Sequence, residues 1–482
     1  MKVPYSWLKE YIDVNLKPEA LAQKLLSIGF EVEEIIYTGT DIKKVVTGRI
    51  TSIAKHPNAD KLQVCALDIG EKLPLTIVTG AKNVAEGDIV PVALDGAELP
   101  GGKQIVKSAL RDVLSYGMLC SGKELDIDNN VIEGAEVDGI LILPADTAIG
   151  VDIRGVLGLD ECIFDVSITA NRPDCQSIVG IARELCAVLD KKLKLPDMSF
   201  KSVSADTGGM LKIAIEDKAN CRRYIGAVVK DIKIKASPKW MRDRLRNVGI
   251  RSINNIVDIT NYVLTEFGQP MHAFDIRYVE GREIHVRAAR SGETIHALDG
   301  KDYTLNGKML VIADKNKPVA IAGVMGGEYS GVMPDTDTAV FESATFARAS
   351  VRATSRALGL RSQASARYEK GVDIGAQEIG ITRSLSLVSS LGCGTVCSPW
   401  IDVCAASKAP RNISVDVRDI DALLGIKVPK RAILRILKNL EIPAVADKNI
   451  LNIEVPLYRE DLENYADIAE EVIRFYGYDK LY

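Results

Sequence analysis

Four side chains in one stretch carry most of the chemistry this sequence offers. Residues 250–275 read IRSINNIVDITNYVLTEFGQPMHAFD, with Thr260 and Asn261 upstream of His272 and Asp275 just after it. His272 is one of only four histidines. An imidazole positions or deprotonates water near neutral pH. A hydroxyl and an amide hold the oxygens of an ester or a ribose. Taken singly, a histidine before AFD is more often a structural hydrogen-bonder than a catalyst. Residues 222–251 hold ten Lys or Arg against two acids, charge suited to a polyanion.

A second constellation is acidic. Residues 454–475 hold seven acids against two basic residues. The pattern REDLENYADIAEEVIRFYGYDKL at 459–481 predicts a helix with Ile468, Val472 and Phe475 on its apolar side and Gly477 as a stop. Asp467, Glu470 and Glu471 then stand at i, i+3 and i+4, with Asp461 six residues before. Clustered carboxylates repel unless they are solvated, salt-bridged or neutralised by a cation, and a solvated acidic face is an equal reading. GGKQ at 101–104 lacks the spacing of a phosphate-cradling loop.

The elements that must position these groups read as α+β, in three or four domains for 482 residues. The net charge of −4 advertises no nucleic-acid binding, so local charge decides. Nine scattered cysteines without a C-x-x-C pair exclude a disulfide framework and fit a reducing cytoplasm. Four dispersed histidines argue against zinc. No run approaches membrane-spanning length and no signal core opens the chain. Amphipathic spacing predicts a helix around Tyr5–Tyr11 and another opened by Pro18, ending near Gly29. Residues 45–94 switch to short β-rich runs, VVTGRITSI, LQVCALDI, LTIVTG and IVPVAL, which fit a small barrel of the oligonucleotide-binding type. Residues 176–191 read as a helix, 196–209 as a linker, and 410–476 as a separate small α+β unit.

HPNADKLQV at 56–64, VTGAKNV at 78–84 and SYGMLCSGKEL at 115–125, in that order, resemble the tRNA-binding barrel attached to several aminoacyl-tRNA synthetases. Lys55, Lys61, Lys82, Lys103 and Lys107 are its candidate backbone contacts, although composition alone favours solvated loop lysines. The flanks, MKVPYSWLKEYIDV with IGFEVEEI and ITANRPDCQSIVGIARELCAVL at 168–189, resemble the bacterial phenylalanyl-tRNA synthetase β-subunit family. So do RYIGAVVKDI, PVAIAGVMGGEYSGV, VFESATF and GLRSQASARYEKGVD, which match that family's editing domain in order across 222–373. The chain departs from the family pattern at Arg361, Ser362, Gln363 and Ala366.

The resemblance implies an α+β multidomain protein. Its amino-terminal α/β domain, 1–39 with 152–200, is split by an inserted OB-fold barrel at 40–151. A mixed α/β editing domain at 201–395 and a small α+β domain at 400–482 follow. It implies a ligase subunit that hydrolyses tyrosine wrongly esterified to the phenylalanine tRNA. A hydrophobic pocket rejects an isostere with one added hydroxyl only weakly, so a second hydrolytic sieve is useful. Glu342 matches the family's hydroxyl-recognising carboxylate; His272, Thr260 and Asn261 match the residues near the ester and ribose. Gly326 matches a small pocket wall, with Ser362 and Ala364 opposite. Water positioning is favoured over general-base catalysis, because no His–carboxylate–nucleophile triad is visible. Asp461, Asp467, Glu470 and Glu471 match magnesium ligands at the contact with the α subunit of an α2β2 enzyme. ATP-dependent synthesis would belong to that α subunit, with no ATP motif in this chain. The family's inactive synthetase-like core and anticodon-reading domain are not in this sequence, whether by truncation or in a naturally short chain. The alternatives are an autonomous trans-editing deacylase and a non-enzymatic tRNA-binding scaffold.

Overall fold

The computed structural model describes residues 1–127 and 139–481. The chain forms two compact units, Ile36–Ile163 and the remainder, Met1–Ile35 with Phe164–Tyr482.

The smaller unit is a curled antiparallel sheet. Ile89–Leu99 pairs with Lys43–Lys55, which pairs with Gln63–Asp68, which pairs with Leu75–Thr79. IVPVAL reads as continuously apolar because both faces of its strand are covered. Val90 and Val92 pack with Ile50, Leu67 and Ile77, while Ile89 and Ala93 pack with Val45, Leu141 and Leu143. Residues 115–119 curl the sheet towards closure by touching both of its edges. Met118 pairs with Ala93, the Tyr116 N–H donates to the Thr76 carbonyl at 2.9 Å, and Ser115 Oγ accepts from the Val78 N–H at 3.0 Å. Gly48 is where the curled strand crosses closest: a Cβ there would lie 2.8 Å from Val92 Cγ2.

In the larger unit the helices Tyr5–Tyr11, Pro18–Ser27 and Ile178–Leu189 form where their spacing places them. Ser177 caps the last, its hydroxyl accepting from the Gly180 N–H at 3.0 Å. Residues 196–209 are not the linker their composition suggests. Ser202–Ser204 adds a parallel strand against Thr395–Ser398, and Thr207–Met210 is a short helix. A parallel partner so distant in sequence leaves no local signal.

The middle of this unit is two sheets packed face to face. In one, the order is Ser202–Ser204, Thr395–Ser398, Cys221–Lys230, Ala339–Phe346, Met271–Asp275. In the other it is Lys212–Ile215, Glu283–Ala288, Leu310–Ala313, Pro318–Ile321, Met325–Gly326. Tyr224, Val228, Phe274, Val340 and Ala344 of the first sheet meet Ile284, Val286, Val311 and Ile321 of the second in one core. The outer face of the first sheet is covered by the helices Asn255–Phe267 and Ala376–Ser390, Ser343 Oγ donating to the Gln377 carbonyl at 2.9 Å. Ala339–Phe346 is therefore buried at every position.

The carboxy-terminal part is a three-stranded sheet, Arg411–Asp416, Ile450–Val455 and Ala444–Asp447, under the helices Val417–Leu424, Lys430–Asn439 and Tyr465–Tyr476. It packs on the Ile178–Leu189 helix through Ala187 and through a buried chain of ion pairs. Arg172 bonds Glu184 at 2.6 Å, Glu184 bonds Arg474 at 2.6 Å, Arg474 bonds Glu471 at 2.7 Å, and Glu471 bonds Arg459 at 2.9 Å.

Candidate hydrolytic site

His272 and Glu342 stand directly opposite each other on neighbouring antiparallel strands, so both side chains leave the same face of the sheet. That face looks into the space between the two sheets. Burial lifts the Glu342 carboxyl to about 7, against a hydrogen bond that lowers it. The donor is Tyr224, whose hydroxyl lies 2.7 Å from Glu342 Oε2. Burial pushes the His272 imidazole down to about 4, so it is neutral at physiological pH. Its ring sits edge-on to Phe274, centroids 4.5 Å apart. Its Nε2 is buried and has no hydrogen-bond partner among the described residues.

Gly326 of the second sheet packs against the imidazole. A Cβ at that position would lie 2.6 Å from His272 Cε1 and 2.9 Å from Leu298 Cδ1. Here the glycine is set by close approach rather than by an unusual φ. Ser362 holds this wall from behind, its hydroxyl donating to the Val324 carbonyl at 2.7 Å while capping the helix Gln363–Tyr368. Ala364 packs on the same core, and the Tyr368 hydroxyl donates to the Ala344 carbonyl at 2.9 Å.

Of the seven expected pocket residues, His272, Glu342 and Gly326 meet directly, while Ser362 is joined to the Val324 carbonyl and Ala364 packs on the common core. Thr260 and Asn261 lie on the Asn255–Phe267 helix and make no hydrogen bond with His272 or Glu342. The Thr260 hydroxyl donates to the Val257 carbonyl at 2.7 Å, and the Asn261 carbonyl accepts from Thr265 Oγ1 at 3.0 Å. Asp275 serves Arg277 and Thr336, both at 2.7 Å. Tyr224, Phe274 and Leu298 escaped sequence reading, because strand register carries the first two to the histidine and the carboxylate and a turn bonded to the Gly326 carbonyl carries the third.

The arrangement suits hydrolysis of an activated ester. A neutral imidazole with a free ring nitrogen accepts a hydrogen bond from water and positions it. A buried carboxylate accepts from a phenol, as Glu342 already does from Tyr224.

The other expected groups are distributed differently. The basic stretch 222–251 is not one cationic face. Arg223 is buried on Asp402 at 2.7 Å and Glu378 at 3.1 Å, and the Arg244 guanidinium sits 5.5 Å from the Trp7 ring and 5.1 Å from the Trp240 ring. In the smaller unit Lys55, Lys61, Lys82, Lys103 and Lys107 are all exposed. Lys103 pairs with Glu124 at 3.3 Å, and the Lys107 ammonium lies 5.6 Å from the Tyr116 ring centre.

The four carboxylates expected to hold magnesium do not converge. Asp461 is bound by Arg459 at 2.8 Å, and Glu471 is buried between Arg459 and Arg474. Asp467 caps its helix, accepting from the Glu463 and Asn464 N–H groups at 2.7 and 2.9 Å. Only Glu470 is fully exposed. Helical spacing put Glu470 and Glu471 on one face, but they are 100° apart on the helix and the core takes one of them. This set therefore fits no cation unless the Arg459 pairs open. Among the described residues, Asp174, Cys175 and Glu184 do gather within 4.8 Å. Arg172 already occupies that cluster, donating to Asp174 at 2.7 Å, Glu184 at 2.6 Å and Cys175 Sγ at 3.2 Å.

Comparison with known families places these features in a common frame. Residues 220–393 match the B3/4 domain, 45–152 a tRNA binding domain, and 413–478 the tRNA synthetase B5 domain. The phenylalanine–tRNA ligase beta subunits of Clostridium tetani and Clostridium acetobutylicum are each 43% identical over 482 residues. That of Moorella thermoacetica is 41% identical over 481 residues. All of this chain is covered in each case, but it spans 60% of the relatives' length. An amino-terminal fragment of the phenylalanyl-tRNA synthetase beta-subunit of Pyrococcus horikoshii is 16% identical, with a TM-score of 0.36, covering 66% of this chain and 88% of the fragment.

Proposed function

We propose that this chain, which belongs by homology over its whole length to the phenylalanine–tRNA ligase beta subunits, hydrolyses the ester of tyrosine attached to a phenylalanine tRNA. The observation that supports it is the pair on adjacent strands: buried Glu342 as acceptor for the substrate hydroxyl, and half-buried His272 with an enclosed, unpartnered Nε2 opposite it. His272 positions water at the ester, Gly326 lets the second sheet approach the imidazole, and Ser362 and Ala364 shape the far wall. Thr260 and Asn261, on the helix that covers the opposite face of that sheet, take no part in this reading. The test is hydrolysis of preformed tyrosyl-tRNA by the full chain. Loss in both Glu342→Ala and His272→Ala with the fold retained is expected; undiminished turnover in both removes the assignment.

The curled sheet at Ile36–Ile163 acts in this reading as an inserted barrel of the oligonucleotide-binding type, its exposed lysines meeting tRNA phosphates. Phenylalanine activation with ATP belongs to a partner α subunit in an α2β2 enzyme of the cytoplasm. Magnesium serves that assembled enzyme. Asp461, Asp467, Glu470 and Glu471 would meet such an ion only with the partner bound. A free-standing deacylase is the second reading; co-purification with an α subunit excludes it. A non-enzymatic scaffold predicts binding without turnover.

A further inference from the structure

The helix Gln363–Tyr368 has two sides. One borders the hydrolytic site through Ser362, Ala364 and Tyr368. The other, with Gln363, Ala366 and Arg367, lines a cleft of about 490 Å³ that also takes in Thr265 and Lys370. Thr265 lies one helical turn beyond Asn261 and is bonded to its carbonyl.

Beside the Met1 amino group and the exposed Lys2, two more cations share this cleft without an ion pair among the described residues. Arg367 Nη1 donates to the Gln363 carbonyl and to its side-chain oxygen at 3.1 and 2.8 Å, and its Nε is buried with no partner among the described residues. Lys370 Nζ reaches the Ile168 carbonyl at 3.3 Å. Neither makes an ion pair with a carboxylate among the described residues. Glu33 and Asp165 also line the cleft, but Asp165 is bound to the Met1 amino group at 3.0 Å and Glu33 is exposed on its strand. Burial lowers Arg367 to about 10, and burial followed by repulsion from Arg361 and Arg367 lowers Lys370. Partly buried cations without a counterion are costly, and an anion in the cleft relieves both the desolvation and the repulsion. A guanidinium fork matches phosphate geometry, and the volume suits a nucleotide-sized group rather than a small ion.

We propose that this cleft holds a phosphodiester of the single-stranded RNA end that delivers the ester to His272 and Glu342. The inference rests on the hydrolytic reading above, and the two are separable by experiment. The full chain is titrated with a short single-stranded RNA ending in cytidine-cytidine-adenosine and, separately, with inorganic phosphate. Arg367→Gln and Lys370→Gln should each weaken RNA binding roughly ten-fold, the loss of one charge-assisted contact. Arg367→Lys should recover part of it. In turnover of tyrosyl-tRNA the loss should fall on KM rather than kcat, and shrink for 3′-O-tyrosyl adenosine, which has no phosphodiester. Lys370→Gln, at a half-buried position, keeps the test valid if Arg367→Gln lowers the melting temperature. RNA affinity and KM unchanged in both variants overturn the proposal. Inorganic phosphate binding as tightly as RNA, and lost equally in the variants, overturns the RNA assignment in favour of a free-phosphate site. RNA binding that depends on Arg367 and Lys370 in a chain that hydrolyses nothing removes the hydrolytic reading and upholds the cleft as an RNA phosphate site.

Discussion

Glu342 and His272 are neighbours shifted by the same cause in opposite chemical senses, since burial disfavours whichever form is charged. Glu342, at about 7, gains its charge in the physiological range, whereas His272 stays neutral down to about 4. The carboxylate is the better acceptor for a phenol. The ratio of tyrosyl- to phenylalanyl-tRNA hydrolysis should therefore rise through about pH 7 and become flat in Glu342→Gln; pH-resolved deacylation rates check this. The stability effects oppose each other. The His272 contribution is complete above its ordinary value of 6.5 and is lost as pH falls through about 4. The Glu342 contribution is complete below its ordinary value of 4.5 and is lost as pH rises through about 7. In the window between they offset. Relative to the parent, His272→Gln should gain stability on acidification below pH 6.5, by up to ~1.4 kcal/mol per pH unit in urea melts. A pH-independent difference would rule out a buried neutral imidazole. Gly326→Ala places a methyl on the His272 ring and should cost about 1–3 kcal/mol of stability, as overpacking does. Deacylation should fall with it, and Gly326→Trp should abolish deacylation.

At the scale of elements, the buried ion pairs hold the Ile178–Leu189 helix to the Tyr465–Tyr476 helix. Burial would raise the Glu184 carboxyl, but Arg172 and Arg474 outweigh burial and hold it well below the usual carboxylate range. Its contribution is therefore present at neutral pH and lost on strong acidification. Removing one member leaves charges buried without a partner. Glu184→Ala should cost about 3–5 kcal/mol, read from the urea midpoint. A loss below about 1 kcal/mol would mean that water replaces the carboxylate, as at surface pairs. The same network decides how the acidic helix is tested. Glu471→Gln disturbs Arg459 and Arg474 and unsettles the fold whatever the metal does. Glu470→Gln is the clean probe: it should weaken magnesium-dependent association with an α subunit and leave the melting temperature unchanged.

At the scale of the whole molecule, a net charge of −4 means that affinity for a polyanion has to come from local groups. Binding of tRNA should weaken steeply with salt, because phosphate contacts release counterions. Lys55→Ala and Lys61→Ala should each lower the slope of log affinity against log salt by about 1, whereas Lys103→Ala, whose ammonium is shared with Glu124, should change it less. Filter binding across a salt series checks both. An unchanged slope in all three would move the contact away from the curled sheet.

Whatever depends on near neighbours was legible before folding. The helices at Tyr5–Tyr11, Pro18–Ser27 and Ile178–Leu189 follow from 3.6-residue spacing and their end residues, and the strands of residues 45–94 from their β-rich runs and turn punctuation. His272, Glu342 and Gly326 were legible as residue types within motif words, because a rare histidine, a lone acid in an apolar strand and a double glycine stand out locally. What lies across space was decided by tertiary structure. Strand register set His272 opposite Glu342 and brought Tyr224 to the same carboxylate. Sheet packing laid Gly326 on the imidazole. Parallel pairing turned the apparent linker into an edge strand. Arg459 and Arg474 drew Glu471 inward and parted it from Glu470, and burial of Arg223 broke up a basic stretch that composition had made uniform. Spacing along a chain states which groups are available; desolvation and charge pairing, which exist only once the chain is packed, state which of them remain free to act.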